Sequence, residues 1–239
     1  MGRAKTLARR TLAARRFGFL FLGTSRLRMP SVIRLGNKSV ELASPQEHSL
    51  TSDIVNIWLD DEYGIRSLRD IHTVVDVGAN IGLFTILARD VFPHATIHAY
   101  EPNARVFPFL TANADTLRAA CFNEAVGSTE GRVEVCDVGD SRLAKVSTVE
   151  TGGVRKIGIK QVIDRMNGHI DLLKMDCEGS EWEILRDAEA LGRVDHIRME
   201  YHIGPGQTCD ELVRLSEAAG FQIESLRPNR TWGIAWLGR

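Results

Sequence analysis

The chain has 239 residues, long enough for one sizeable hydrophobic core and too short for two full domains with a linker. Its 44% apolar and 26% charged content exclude the disordered and fibrous classes. With 30 basic against 31 acidic residues, the chain as a whole offers nucleic acid no general attraction, and none is expected as a partner.

Residues 1–49 read as a basic N-terminal extension, and 50–239 as the catalytic domain. Ten basic residues, from Arg3 to Lys38, precede the first acid, Glu41. The longest apolar stretch of the arm, Phe17 to Gly23, falls far short of the roughly 20 residues that span a bilayer. Gly23-Thr24-Ser25-Arg26 makes a poor signal-cleavage site. Three readings stay open: an organelle transit peptide, a helical segment that packs on the domain, and weak contact with a membrane surface or partner. Cys121, Cys136, Cys177 and Cys209 lack metal-site spacing and the density of a secreted scaffold, so reduced thiols and a cytoplasmic location are expected.

From residue 50 short β-branched runs alternate with helical stretches, the pattern of parallel βαβ units in a doubly wound α/β sheet. Ser52 is placed to cap a helix with Ile54, Ile57 and Trp58 on one face. A strand Thr73–Val77 leads through a glycine turn into a helix Leu83–Phe92 closed by Pro93. Next come a strand Ala95–Tyr100, a helix from about Ala104 to Asp115, and a strand Ala119–Val126. Pro108 implies that the helix is distorted in its first turn or starts nearer Phe107. Arg132–Val138 and Lys156–Lys160 read as an inserted hairpin, and Gly152-Gly153 as part of a mobile loop covering the active site. The remainder reads as strand Ile170–Asp176, helix Ser180–Ala188, strand His196–His202, helix Cys209–Ala219, and strands Phe221–Leu226 and Thr231–Trp236. Seven strands complete a sheet.

The turn Asp76-Val77-Gly78-Ala79-Asn80-Ile81-Gly82 carries the first chemical signal. A dinucleotide fingerprint would need glycines at 78, 80 and 83, and a phosphate-cradling loop would need Gly at 83 followed by Lys; neither is present. Asp76 opposes a phosphate and suits a cation, which S-adenosylmethionine supplies as ammonium and sulfonium. Gly78 and Gly82 let a ligand approach the backbone. Glu101, at the end of the second strand, is placed to accept both ribose hydroxyls.

Candidates for the chemistry lie at the carboxyl ends of the central strands: Asp176, Glu178, Glu200 and His202. Asp176 and Glu178 read either as contacts to the acceptor or cofactor, or as a helix-start pair serving Ser180. His202 is a candidate general base, with a half-exposed loop histidine as the alternative. Lys174 shares a strand face with Asp176 and reads as its ion partner or that of Glu178. A divalent metal on Asp176, Glu178, Glu200 or His202 is chemically feasible, but no metal is assigned.

Val74 to Gly82, Tyr100-Glu101-Pro102-Asn103, Asn123 to Gly127 and Asp171 to Glu181 together resemble the FkbM family of methyltransferases. The block from Lys174 to Glu181 carries the most specific match. The resemblance implies a class I methyltransferase sheet of order 3-2-1-4-5-7-6, S-adenosylmethionine as cofactor, and methyl transfer to a hydroxyl of a sugar, lipid or secondary-metabolite acceptor. Under it the cofactor site comprises Asp76, Gly78, Ala79, Asn80, Gly82, Glu101, Asn123 and Glu124, and the catalytic set His202, Asp176 and Glu178. The rival reading is a non-catalytic module that binds the cofactor or a nucleoside and docks through the basic arm.

Overall fold

The computed structural model describes residues 2–24, 27–45, 47, 49–137, 139, 145–151 and 153–239. Helix α1 (Gly2–Arg16) ends in Arg15 and Arg16, cations favoured at a helix C-terminus. The arm is anchored on the domain. Ala14 and Phe17 are fully buried, Phe17 stacks on Trp58 at 4.8 Å between ring centroids, and the Arg10 guanidinium forks onto Asp60 at 2.9 and 2.6 Å. A hairpin of β1 (Val32–Leu35) and β2 (Lys38–Glu41) follows; four-residue strands with Ile33 as their one fully buried side chain left no sequence signal.

Helix α2 (Leu50–Asp53) runs straight into a π-type turn, Ile54–Leu59. Ser52 is not its cap: Ser49 holds that position, without a side-chain capping bond. The wider turn carries Trp58 inward, where its indole N–H donates to Leu83 O at 2.8 Å. The arm is thereby coupled to the helix that follows the glycine turn.

That helix is α3 (Leu83–Val91), preceded by β3 (Thr73–Val77) and followed by β4 (Thr96–Tyr100), α4 (Phe107–Asp115) and β5 (Ala120–Phe122). Pro108 falls in the first turn of α4, where its missing N–H costs least. The predicted third strand is divided. Its first half, β5, pairs with β4, whereas β6 (Ala125–Gly127) leaves for a second sheet.

In place of a simple hairpin, β7 (Gly131–Cys136), β8 (Lys145–Val149) and β9 (Val154–Gly158) join β6 in a four-stranded sheet of order β6-β9-β7-β8. Gly152, Val138 and residues 140–144 lie outside the described residues. Gly153, expected in a mobile loop, sits at φ +61° where a Cβ would lie 2.2 Å from Val133 O, so it serves close packing on β7. Helix α5 (Ile159–Arg165) starts where the sequence suggested strand, buries Ile159, Val162 and Ile163, and is capped by the Gln161 side chain accepting from Gly158 N–H at 3.1 Å.

The chain then forms β10 (Ile170–Met175), α6 (Glu181–Leu185), α7 (Ala188–Leu191), β11 (Val194–His202), α8 (Cys209–Ala218), β12 (Gln222–Pro228) and β13 (Trp232–Gly238). The predicted single helix Ser180–Ala188 breaks because Asp187 caps α7, accepting from Ala190 N–H at 3.1 Å. The main sheet has the order β12-β13-β11-β10-β3-β4-β5, with β13 antiparallel to both neighbours and the other pairs parallel. Alternate residues serve two cores, as period-two geometry requires. Val74, Ile97 and Leu172 face α3 and the arm, while Val75, Leu173 and Ile197 face α5 and α6. Among the described residues no helix is long and apolar enough to cross a membrane.

Candidate active site

The carboxyl ends of β3, β4, β10 and β11 open on a cavity of about 500 Å³. Its floor is the glycine turn. Gly78, at φ +72°, passes so close to β10 that a Cβ would lie 1.8 Å from Asp176 O, and no side chain fits. The N–H groups of Gly78 and Ala79 both donate to Tyr100 O at 3.0 Å, and Asn80 N–H donates to Glu101 Oε2 at 2.8 Å. These donors are used internally. The cavity therefore offers chiefly acceptors here, which repels phosphate and suits cations and hydroxyls.

Glu101 is buried, with Oε1 accepting from Asn103 N–H at 2.8 Å and Oε2 from Asn80. Burial pushes its carboxyl up to about 7 against the lowering effect of those two N–H groups. Each oxygen keeps a lone pair for the cavity it lines. Asn123 does not line that cavity: its amide donates to the carbonyls of Glu101 (2.8 Å) and Pro102 (3.1 Å), holding the strand end in place. Glu124 lines the cavity and is neutralised by Arg165 and, at 3.1 Å, Arg155. Gly82 is also absent from the lining; at φ +90° it opens α3.

Asp76 needs a larger correction. It shares a strand face with Val74, not Val77, and so turns toward α3, fully buried and outside the cavity lining. Thr85 donates to it at 2.7 Å and Lys174 Nζ lies 3.1 Å away. Lys174 is buried in turn and donates to Gly78 O at 2.7 Å. Burial lowers the Lys174 pKa, but Asp76 and Asp176 outweigh it and leave the ammonium raised above its ordinary value. Asp76 thus holds the lysine that holds the turn.

Beyond the glycine turn the cavity becomes acidic. Asp176, Glu178 and His202 converge, with ligand atoms all within 4.8 Å. Tyr63 OH donates to Asp176 Oδ2 at 3.3 Å. The His202 ring lies 3.5 Å from each of Glu178, Glu181 and Glu200. Desolvation pulls the imidazole pKa down, yet the carboxylates of Glu181, Glu200 and Glu178 carry it up to about 11. That shift favours the protonated ring, which donates rather than accepts a proton and so disfavours the general-base role expected of His202. Glu178, at φ +53°, remains exposed by surface area, yet partial desolvation and the charges of Asp176, Glu181 and Glu200 push its carboxyl up to about 7 against the opposing charge of His202. Glu62 reaches about 7 as well, by burial and the proximity of Glu200.

Three contributors escaped the sequence reading. Glu62 and Tyr63 come from the segment before β3, which has neither motif nor periodicity, and only packing brings them to the cavity. Glu181, fully buried, accepts from Cys177 and Gly179 N–H at 2.8 Å each and fixes the loop that bears Glu178. Its signal was the spacing Asp176-x-Glu178-x-x-Glu181. Of the insertion, β6 gives Ala125 and Val126 to the lining and β7 gives Val135.

The Methyltransferase FkbM domain profile matches residues 76–223, more than half of the chain. The chain belongs to the FkbM methyltransferase family. As an FkbM methyltransferase it is 24% identical over 204 residues to Methyltransferase 1 of Beauveria bassiana, covering 72% of this chain and 81% of that one. It is 27% identical over 163 residues to the hexuronic acid methyltransferase AglP of Haloferax volcanii, covering 65% of each. It is 42% identical over 73 residues to the 31-O-demethyl-FK506 methyltransferase FkbM of Streptomyces tacrolimicus, covering 30% of this chain and 24% of that one.

Proposed function

We propose that this FkbM-family enzyme transfers the methyl group of S-adenosylmethionine to a hydroxyl oxygen of a small-molecule or sugar acceptor. The observation that carries the reading is Glu101, buried at the end of β4, anchored through both oxygens by backbone N–H groups and still lining the cavity beside the glycine turn. Such a carboxylate suits a ribose diol, and the acceptor-rich turn next to it suits a sulfonium and an ammonium. When bound, S-adenosylmethionine supplies an activated methyl group on a positively charged sulfur. Glu101 would bind the ribose, while Gly78, Ala79 and Asn80 would shape the floor under the methionine portion.

The acidic end is where the acceptor would sit. Glu178 is the base in this reading: a carboxyl held near pH 7 accepts the hydroxyl proton as the oxygen attacks. Asp176, fixed by Tyr63, and the His202 imidazolium would orient the acceptor and Glu178. The names of two relatives, one acting on 31-O-demethyl-FK506 and one on hexuronic acid, support an oxygen acceptor. Free Cys121, Cys136, Cys177 and Cys209 support a reducing, cytoplasmic setting. Membership of an enzyme family disfavours the purely binding module.

The test is Glu178→Gln, which keeps shape and removes the base. Transfer of labelled methyl should fall roughly 10²–10⁴-fold while S-adenosylhomocysteine affinity by calorimetry stays within about threefold. Equal loss of both would place Glu178 in cofactor binding and overturn the assignment.

A further inference from the structure

Five large hydrophobic side chains are left exposed among the described residues, and all lie between residues 7 and 32: Leu7 at 46%, Leu12 and Leu20 at 71%, Leu22 at 67% and Val32 at 49%. On the outer side of α1, Ala4, Leu7, Ala8, Thr11, Leu12 and Arg15 follow at spacings of three and four and line an open groove. The Thr11 hydroxyl donates to Leu7 O at 2.9 Å within the helix and lies 3.3 Å from Phe21 O, so the Leu20–Leu22 segment runs beside that groove. Apolar surface gathered at one place marks an interaction site, whereas scattered leucines would not.

The charges around it are one-sided. Lys5, Arg15, Arg28, Arg34 and Lys38 are exposed and make no ion pair among the described residues, whereas Arg9 and Arg10 turn to Asp60 and Arg16 to Asp90. Residues 1–40 hold ten basic groups and no acid, so the remainder of the chain has 20 basic against 31 acidic. We infer that this face docks peripherally on an anionic lipid bilayer, with Leu12, Leu20 and Leu22 entering the headgroup boundary and the basic side chains meeting lipid headgroups. A second copy would bring an equally basic face against it, setting like charges together. Nucleic acid would neutralise the arginines but offers the leucines no apolar boundary.

Flotation of the full chain with phosphatidylcholine vesicles, with and without one third phosphatidylglycerol, tests the inference. Binding is expected to the anionic vesicles, to weaken with added salt, and to be at least tenfold weaker on the neutral ones. Replacing Leu12, Leu20 and Leu22 together by Ser should lower partitioning at least tenfold. Lys5→Gln, Arg15→Gln and Arg28→Gln should lower it about fivefold each. The substituted side chains are exposed, so the thermal midpoint should stay put in every variant. Unchanged binding in the leucine variant would reduce the contact to adsorption of a basic segment and overturn the proposal. So would equal binding to both vesicle types, or a concentration-dependent dimer that the leucine substitutions abolish.

Discussion

The two ends of the cavity are stabilised in opposite ways. At the glycine turn every charge has a partner: Asp76 has Lys174 and Thr85, Lys174 also has Gly78 O, and Glu101 has two backbone N–H groups. At the far end Glu178, Glu181 and Glu200 lie 3.5 Å from His202, with Asp176 and Glu62 lining the same cavity and Lys174 3.9 Å from Asp176, so carboxylates crowd the ring. The first arrangement fixes geometry. The second leaves Glu62 and Glu178 near pH 7, where a proton moves at little cost. A methyl transferase needs a rigid seat for the donor and a movable proton at the acceptor, and the division of charge between the two ends matches that need.

Substitutions break this contrast at different points. Asp76→Ala should have the largest structural effect, because it leaves the Lys174 ammonium buried with one carboxylate fewer; loss of a buried partner costs about 3–5 kcal/mol. Chemical denaturation should show that loss together with weakened S-adenosylhomocysteine binding. A stable fold with binding alone reduced would return Asp76 to direct ligand contact. Phe17→Ala, in the arm, should cost about 3 kcal/mol by emptying the site against Trp58. Through the Trp58 bond to Leu83 it should also loosen the start of α3, read as faster amide exchange there. Glu101→Gln sets an amide NH2 against one of the two backbone N–H groups, so it should cost about 1–3 kcal/mol of stability and weaken S-adenosylhomocysteine by about one to two orders of magnitude. Unchanged affinity would remove the ribose assignment.

The legible half of the site was the half built from adjacent chain. Gly78 to Gly82 and Glu101 belong to one strand-turn-helix-strand unit, where spacing along the sequence is spacing in space. Asp76 was misplaced because a strand buried on both faces does not reveal which core an acid points into; here it faces Thr85 of α3. The break of the third strand at Asn123 was equally hidden, since the reason is a bond to Glu101 O on a neighbouring strand end. Glu62 and Tyr63 arrive from a segment with no pattern at all. The proton affinity of His202 was hidden for the same reason, since it depends on Glu178, Glu181 and Glu200, which only the folded chain assembles around the ring.

That protonation is the finest test of the contrast. If carboxylates dominate the acceptor end, the imidazolium of His202 is bound more tightly in the folded chain than in the unfolded one. Its pKa is raised from 6.5 to about 11, so its contribution to stability is fully present below pH 6.5 and is lost as pH rises through about 11. Between pH 6 and 9 the ring should not titrate, and nitrogen-detected NMR should show both ring nitrogens protonated throughout. Glu181→Gln removes the fully buried carboxylate 3.5 Å from Nδ1 and should bring the titration down toward neutrality, together with a drop in stability that is largest below pH 6.5 and shrinks as pH rises toward 11. A His202 that titrates near 6.5 in the unmodified chain would mean that water or a counter-ion screens the cluster. Glu178 would then lose the opposing charge that partly offsets its rise, and His202 would regain its claim to the proton.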